Sequence, residues 1–108
     1  MYNIIITPKF LRLLKLLVKK YPSLKMEFHN LAQQLRENPI IGTPIGNDCY
    51  KIRIAIASKG KGKSGGGRAI THIVVQEEKV YLLAIYDKSE IENLPDKEIL
   101  KLIKDKDL

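Results

Sequence analysis

The residues of this chain best equipped for chemistry are cations. Six of its nineteen Lys and Arg residues (Lys51, Arg53, Lys59, Lys61, Lys63 and Arg68) fall between Tyr50 and Gln76, a stretch with none of its twelve Asp and Glu residues. Almost all of the formal net charge of +7 comes from there. No cluster of carboxylates, serine–histidine pair or metal-ligand spacing stands out, so catalysis would rest on Lys, Arg, Tyr and His. That inventory suits the cleavage of RNA by its own 2′-OH, with no metal and no cofactor. Fixed cations stabilise the dianionic phosphorane of the transition state. Two further groups must take the proton from the 2′-OH and return one to the leaving 5′-oxygen. Lys and Tyr ordinarily titrate near about 10, and neighbouring cations lower both toward a useful range. DNA has no 2′-OH and is inert to this route.

Five of the seven glycines (Gly60, Gly62, Gly65, Gly66 and Gly67) interrupt the same stretch. A loop of this kind brings backbone N–H groups, those of Gly65 and Gly66 included, to the same anion as the ammonium groups of Lys59, Lys61 and Lys63. Lysines spaced by glycine are read as tracking phosphates rather than reacting. Gly62-Lys63-Ser64 imitates the end of a nucleotide-binding P-loop. The likeness fails, because Ala57 stands where that pattern needs its first glycine and the loop runs on into a strand instead of a helix.

The elements that must position these groups follow from periodicity. Tyr2–Ile6 is a short β-branched strand, and Thr7 and Pro8 are a helix N-cap and first helical position. Phe10, Leu13, Leu14, Leu17 and Val18 recur at helical spacing up to Tyr21-Pro22. Ser23 caps a second helix whose face is Leu24, Phe28, Leu31, Ala32 and Leu35. Residues Pro39 to Asp48 are read as a connection. Cys49 to Ala57 alternates, with Tyr50, Ile52, Ile54 and Ile56 on one face and Lys51 and Arg53 on the other. Arg68–Val75 and Lys79–Tyr86 are two more strands, joined by a tight turn at Glu77-Glu78. A last helix begins near Leu94-Pro95. The fold expected is α+β: an antiparallel sheet made of the N-terminal strand plus a three-strand meander. An N-terminal helical hairpin packs on one face, and a short C-terminal helix follows.

At 108 residues the chain has room for one domain, residues 1–108, with one modest core. Its apolar runs fall far short of a membrane span, and no signal peptide is evident, so the cytoplasm is the expected compartment. The single cysteine, Cys49, allows no internal disulfide and is read as a buried strand residue. The concentrated charge favours nucleic acid over a membrane surface, because it lies on strands and a loop rather than on an amphipathic helix.

The run YKIRIA, then GKGKSGGGR, then VYLLAIYDKSEIENL resembles the RelE/ParE superfamily of bacterial toxins, and most of all its RelE- or HigB-like branch. The resemblance implies a RelE-like fold and a toxin of a type II toxin–antitoxin system, held by a cognate antitoxin. For the RelE type it implies an endoribonuclease that cuts mRNA on the ribosome. It further implies that Lys51 and Arg53 are the basic pair on the strand before the loop, that Arg68 opens the next strand, and that Tyr86 and Lys88 are the tyrosine and basic residue at the end of the last. Where the branch often carries an aromatic pair after the arginine, this chain has Thr71-His72. His72 shares strand parity with Arg68 and reads either as a satisfied sheet histidine or as a proton-transfer group. Tyr86 reads either as core packing or as a base-stacking or proton-transfer residue. Glu90 and Glu92 are read as capping or solvating the last helix. Two other functions stay open: a ParE-type inhibitor of DNA gyrase, with no enzymatic activity, and an RNA-binding module without catalysis.

Overall fold

The computed structural model describes residues 1–60 and 65–108. The elements run β1 (Asn3–Ile6), α1 (Pro8–Lys20), α2 (Leu24–Glu37), β2 (Thr43–Gly46), β3 (Cys49–Ile54), β4 (Gly67–Val74), β5 (Lys79–Asp87) and α3 (Asp96–Lys104). The five strands form one sheet in the order β1-β5-β4-β3-β2.

The first helix starts as its sequence dictates. The Thr7 hydroxyl accepts the Phe10 N–H at 3.2 Å and donates to the Leu82 carbonyl at 2.8 Å, so one side chain caps α1 and ties it to β5. Phe10 and Leu14 of α1 and Leu24, Leu31 and Leu35 of α2 pack on Ile52, Ile54, Ala69, Leu82 and Ile85 of the sheet. On the opposite face, Ile99 and Leu102 of α3 cover Ile70, Tyr81, Leu83 and Ala84. Helices thus cover one face and part of the other.

Two features depart from the sequence reading. The segment read as a connection contains β2, which pairs antiparallel with β3. Asn47 and Asp48 between them both have positive φ, 56° and 57°, as the two-residue turn of a tight hairpin requires, and Asn and Asp tolerate that conformation well. The sheet is also mixed rather than antiparallel, because β1 runs parallel to β5. Ile4 packs in the helical-hairpin cluster and Ile5 in the α3 cluster. A short run that buries both faces reads the same in either direction, so its local pattern cannot fix its orientation.

Candidate active site

The β3–β4–β5 ladder sets the geometry. Arg53 lies directly opposite Arg68, and Arg68 directly opposite Tyr86, so the three side chains leave the same face of the sheet. Lys51, two residues before Arg53, shares that face. Beyond the end of β5 the chain turns so that Lys88 closes the group. Together with Thr43, Glu92 and Asn93, the four cations Lys51, Arg53, Arg68 and Lys88 line a cleft of about 290 Å³ under the segment that leads into α3.

Of these four cations, Arg68 and Lys51 are held by side-chain hydrogen bonds. The Arg68 side chain is almost wholly buried, and its guanidinium donates to the Gly67 carbonyl at 2.9 Å. Burial, and after it the charge of Arg53, lowers the Arg68 pKa from its ordinary value, with Tyr86 acting the opposite way. Lys51 Nζ donates to Asn93 Oδ1 at 2.8 Å, which ties the approach to α3 to the cleft wall. Tyr86 is buried, and among the described residues its hydroxyl has no hydrogen-bond partner. Burial raises the Tyr86 pKa from 10.0, and the nearby Arg68 charge offsets part of that rise. The phenol is therefore protonated at neutral pH, a proton donor rather than an acceptor. Chemically the cleft can bind a phosphodiester, and the Tyr86 phenol lies behind it, beside Arg68 and outside the residues that line it.

Comparison with known proteins gives the family and the fold. The family model described as the RelE toxin of the RelE / RelB toxin–antitoxin system matches residues 18–105. The chain belongs to the RelE toxin family. The fold is shared with solved structures from E. coli. A mutant of toxin RelE in the free state superposes with a TM-score of 0.59 at 17% identity, over 97% of this chain and 93% of that one. The isolated RelE toxin gives 0.57 at 17% identity, over 95% and 99%. Membership of the RelE family implies an antitoxin as partner. Among the described residues, no helix is long and apolar enough to cross a membrane.

The cleft of this RelE-family chain gathers Lys51, Arg53, Arg68 and Lys88, with Tyr86 beside Arg68, but it leaves His72 out. His72 is on the same face, yet Ile70 stands between it and Arg68, buried under Ile99 and Leu102 of α3. Its Nδ1 lies 3.0 Å from the Asn47 carbonyl and 3.6 Å from Cys49 Sγ. Burial lowers the His72 pKa, so the imidazole is neutral at pH 7. Burial likewise pushes the Cys49 thiol up to about 11, which removes a Cys–His nucleophile from consideration.

Lys59 also lies elsewhere than expected. Instead of reaching into solvent toward phosphate, its ammonium forms a buried ion pair with Asp87 and donates to the Gly65 carbonyl at 3.0 Å. The Gly66 carbonyl accepts the Lys88 N–H at 3.1 Å. A Cβ on Gly66 would sit 2.1 Å from the Ile54 carbonyl oxygen, so only glycine fits there. Gly65 and Gly66 are thus tied to the protein through their carbonyls. Lys61 and Lys63 lie outside the described residues. Two polar residues that sequence reasoning assigned no chemistry, Glu92 and Asn93, line the cleft. The polar run after β5 was their signal, but only the turn at Asp87 shows that it folds back over Lys51.

Proposed function

We propose that this toxin is an endoribonuclease that cleaves mRNA on the ribosome by metal-independent attack of the 2′-OH. The observation that carries this reading is the convergence of Lys51, Arg53, Arg68 and Lys88 on one cleft beside a protonated, buried tyrosine. Arg53 and Arg68, side by side, hold the two non-bridging oxygens of the scissile phosphate and take up the charge that grows on the phosphorane. Lys51 and Lys88 flank the phosphate and neutralise it. Tyr86 gives its proton to the leaving 5′-oxygen. Glu92, the carboxylate among the described residues lining the cleft, takes the 2′-OH proton. His72 has no part in this scheme.

Primer extension on cellular mRNA after induction of the toxin tests the reading. Cuts in phase with codons, abolished by Arg68→Ala, are the expected result. Intact mRNA with a loss of DNA supercoiling would place the chain with gyrase inhibitors instead. Intact mRNA with retained ribosome binding would leave an RNA-binding module.

A further inference from the structure

We infer that the turn between α1 and α2 is a positioning device for the cleft: Tyr21, acting through Asp87 and Lys59, holds Arg68 and Lys88 in place. This inference rests on the nuclease reading above for its functional consequence, while its geometry stands apart from it.

Asp87 ends β5, and its side chain is fully buried. Its Oδ2 accepts the Tyr21 hydroxyl at 2.7 Å. Its Oδ1 accepts the Lys59 ammonium, the Ser89 N–H at 2.9 Å and the Ser89 hydroxyl at 2.8 Å. Lys59 in turn reaches the Gly65 carbonyl and, at 3.3 Å, the Ser89 hydroxyl, so the three hydrogens of its ammonium are all engaged. Its charge also lies 5.8 Å from the centre of the Tyr21 ring. Gly67 stands opposite Asp87 in the ladder, and the Lys88 N–H bonds to Gly66. Three separate segments, around Lys59, Gly65–Arg68 and Asp87–Ser89, are therefore locked into one unit. Arg68 and Lys88 both extend from that unit, each one residue past a locked position.

The same helical turn grips the unit a second time. Ala57 N–H donates to Glu27 Oε2 at 2.8 Å, and Ser58 N–H donates to Ser23 Oγ at 2.9 Å. A buried ion pair is a poor way to gain stability, since apolar side chains of similar volume do as well or better. What a fully bonded carboxylate supplies is a fixed geometry. A phosphate clamp displaced by even about 1 Å loses on the order of 10²-fold in rate.

Tyr21→Phe tests this most cleanly, because it keeps the ring and removes only the donor to Asp87. In single-turnover cleavage of ribosome-bound mRNA at saturating enzyme, Tyr21→Phe should cut roughly 10-fold more slowly and Asp87→Asn roughly 10²-fold. Ribosome affinity should hold in both variants, and Lys59→Arg should keep more of the rate than Lys59→Met. Hydrogen exchange provides a readout independent of activity. The Lys88 amide of Tyr21→Phe should exchange roughly 10-fold faster while Ile85 of the same strand is unchanged. A wild-type cleavage rate in Tyr21→Phe, an effect confined to affinity, or an unaltered Lys88 amide would overturn the inference. If Asp87→Asn fails to fold, Tyr21→Phe decides alone. If the wild-type protein cuts no RNA, the nuclease reading falls, and Lys88 exchange still decides whether the turn holds the cleft.

Discussion

Arg53 and Arg68 occupy directly opposed positions on β3 and β4, with their side chains on one face of the sheet. Like charges placed this way repel, and the lowered Arg68 pKa registers that repulsion after the larger effect of burial. On the proposed function, a phosphate bound between the two guanidinium groups would relieve that repulsion. Arg53→Gln should leave the free toxin as stable or more stable, by roughly 0.2–1 kcal/mol, while lowering cleavage. Thermal melts beside a cleavage assay check this, and a clear loss of stability would show that Arg53 serves the fold.

Arg68 carries the heavier catalytic expectation. Its planar guanidinium can span two phosphate oxygens, which an ammonium cannot. Arg68→Ala should lower the single-turnover rate by roughly 10²–10³-fold and ribosome affinity much less. An unchanged rate once the RNA is bound would leave Arg68 with positioning alone.

As the proposed general acid, Tyr86 would tie the reaction to pH. Because its folded pKa lies above 10.0, the proton-donating form persists through neutral and mildly alkaline pH and is lost only as pH rises past that raised value. The rate should therefore show no alkaline fall below about pH 10. Tyr86→Phe should lower it by roughly 10²–10⁴-fold, the usual worth of general acid catalysis. A rate–pH profile of the two proteins tests both statements. An alkaline limb near neutrality would assign the acid elsewhere.

Asp87 ties stability to pH with the opposite sense. Burial by itself raises its pKa, but the hydrogen bonds from Lys59, Tyr21 and Ser89 outweigh burial and hold it well below 3.8. A group depressed on folding contributes stability that is present above its unfolded pKa and lost as pH falls through the folded one. The wild type should lose melting temperature as pH drops below about 4, and Asp87→Asn should lack that component of the fall. At neutral pH Asp87→Asn should cost about 3–5 kcal/mol, because it strands Lys59 in the interior. Melts between pH 2 and 7 distinguish the two proteins.

The sequence disclosed what depends on neighbours in the chain and hid what depends on distant ones. Thr7-Pro8 announces a helix start through local chemistry, and the alternation from Cys49 to Ile54 puts Lys51 and Arg53 on one face because a strand has period two. Parity alone also drew in His72, since period two does not record that α3 would lie across Ile70. Lys59 looked identical to its loop neighbours because its partner, Asp87, is 28 residues away. The proline in β2 disguised that strand, although Asn47-Asp48 was a legible turn signal. Glu92 and Asn93 read as the approach to a helix, and nothing local indicates that they fold over Lys51.

The place of β5 in the sheet bears on how the protein is made. It is the last strand in the chain, yet it lies between β1 and β4, and β1 must wait for a partner synthesised more than seventy residues later. During synthesis, the N-terminal strand and both helices emerge with their main docking surface still missing. Arg68 has no Tyr86 opposite it, and Lys88 does not yet exist. A nascent chain arrested before Lys79 should be cut readily by protease, and protection should appear only once Asp87 has left the exit tunnel. A chain built this way gains its central strand pairing, the docking of its helices and its cationic cleft in a single late step.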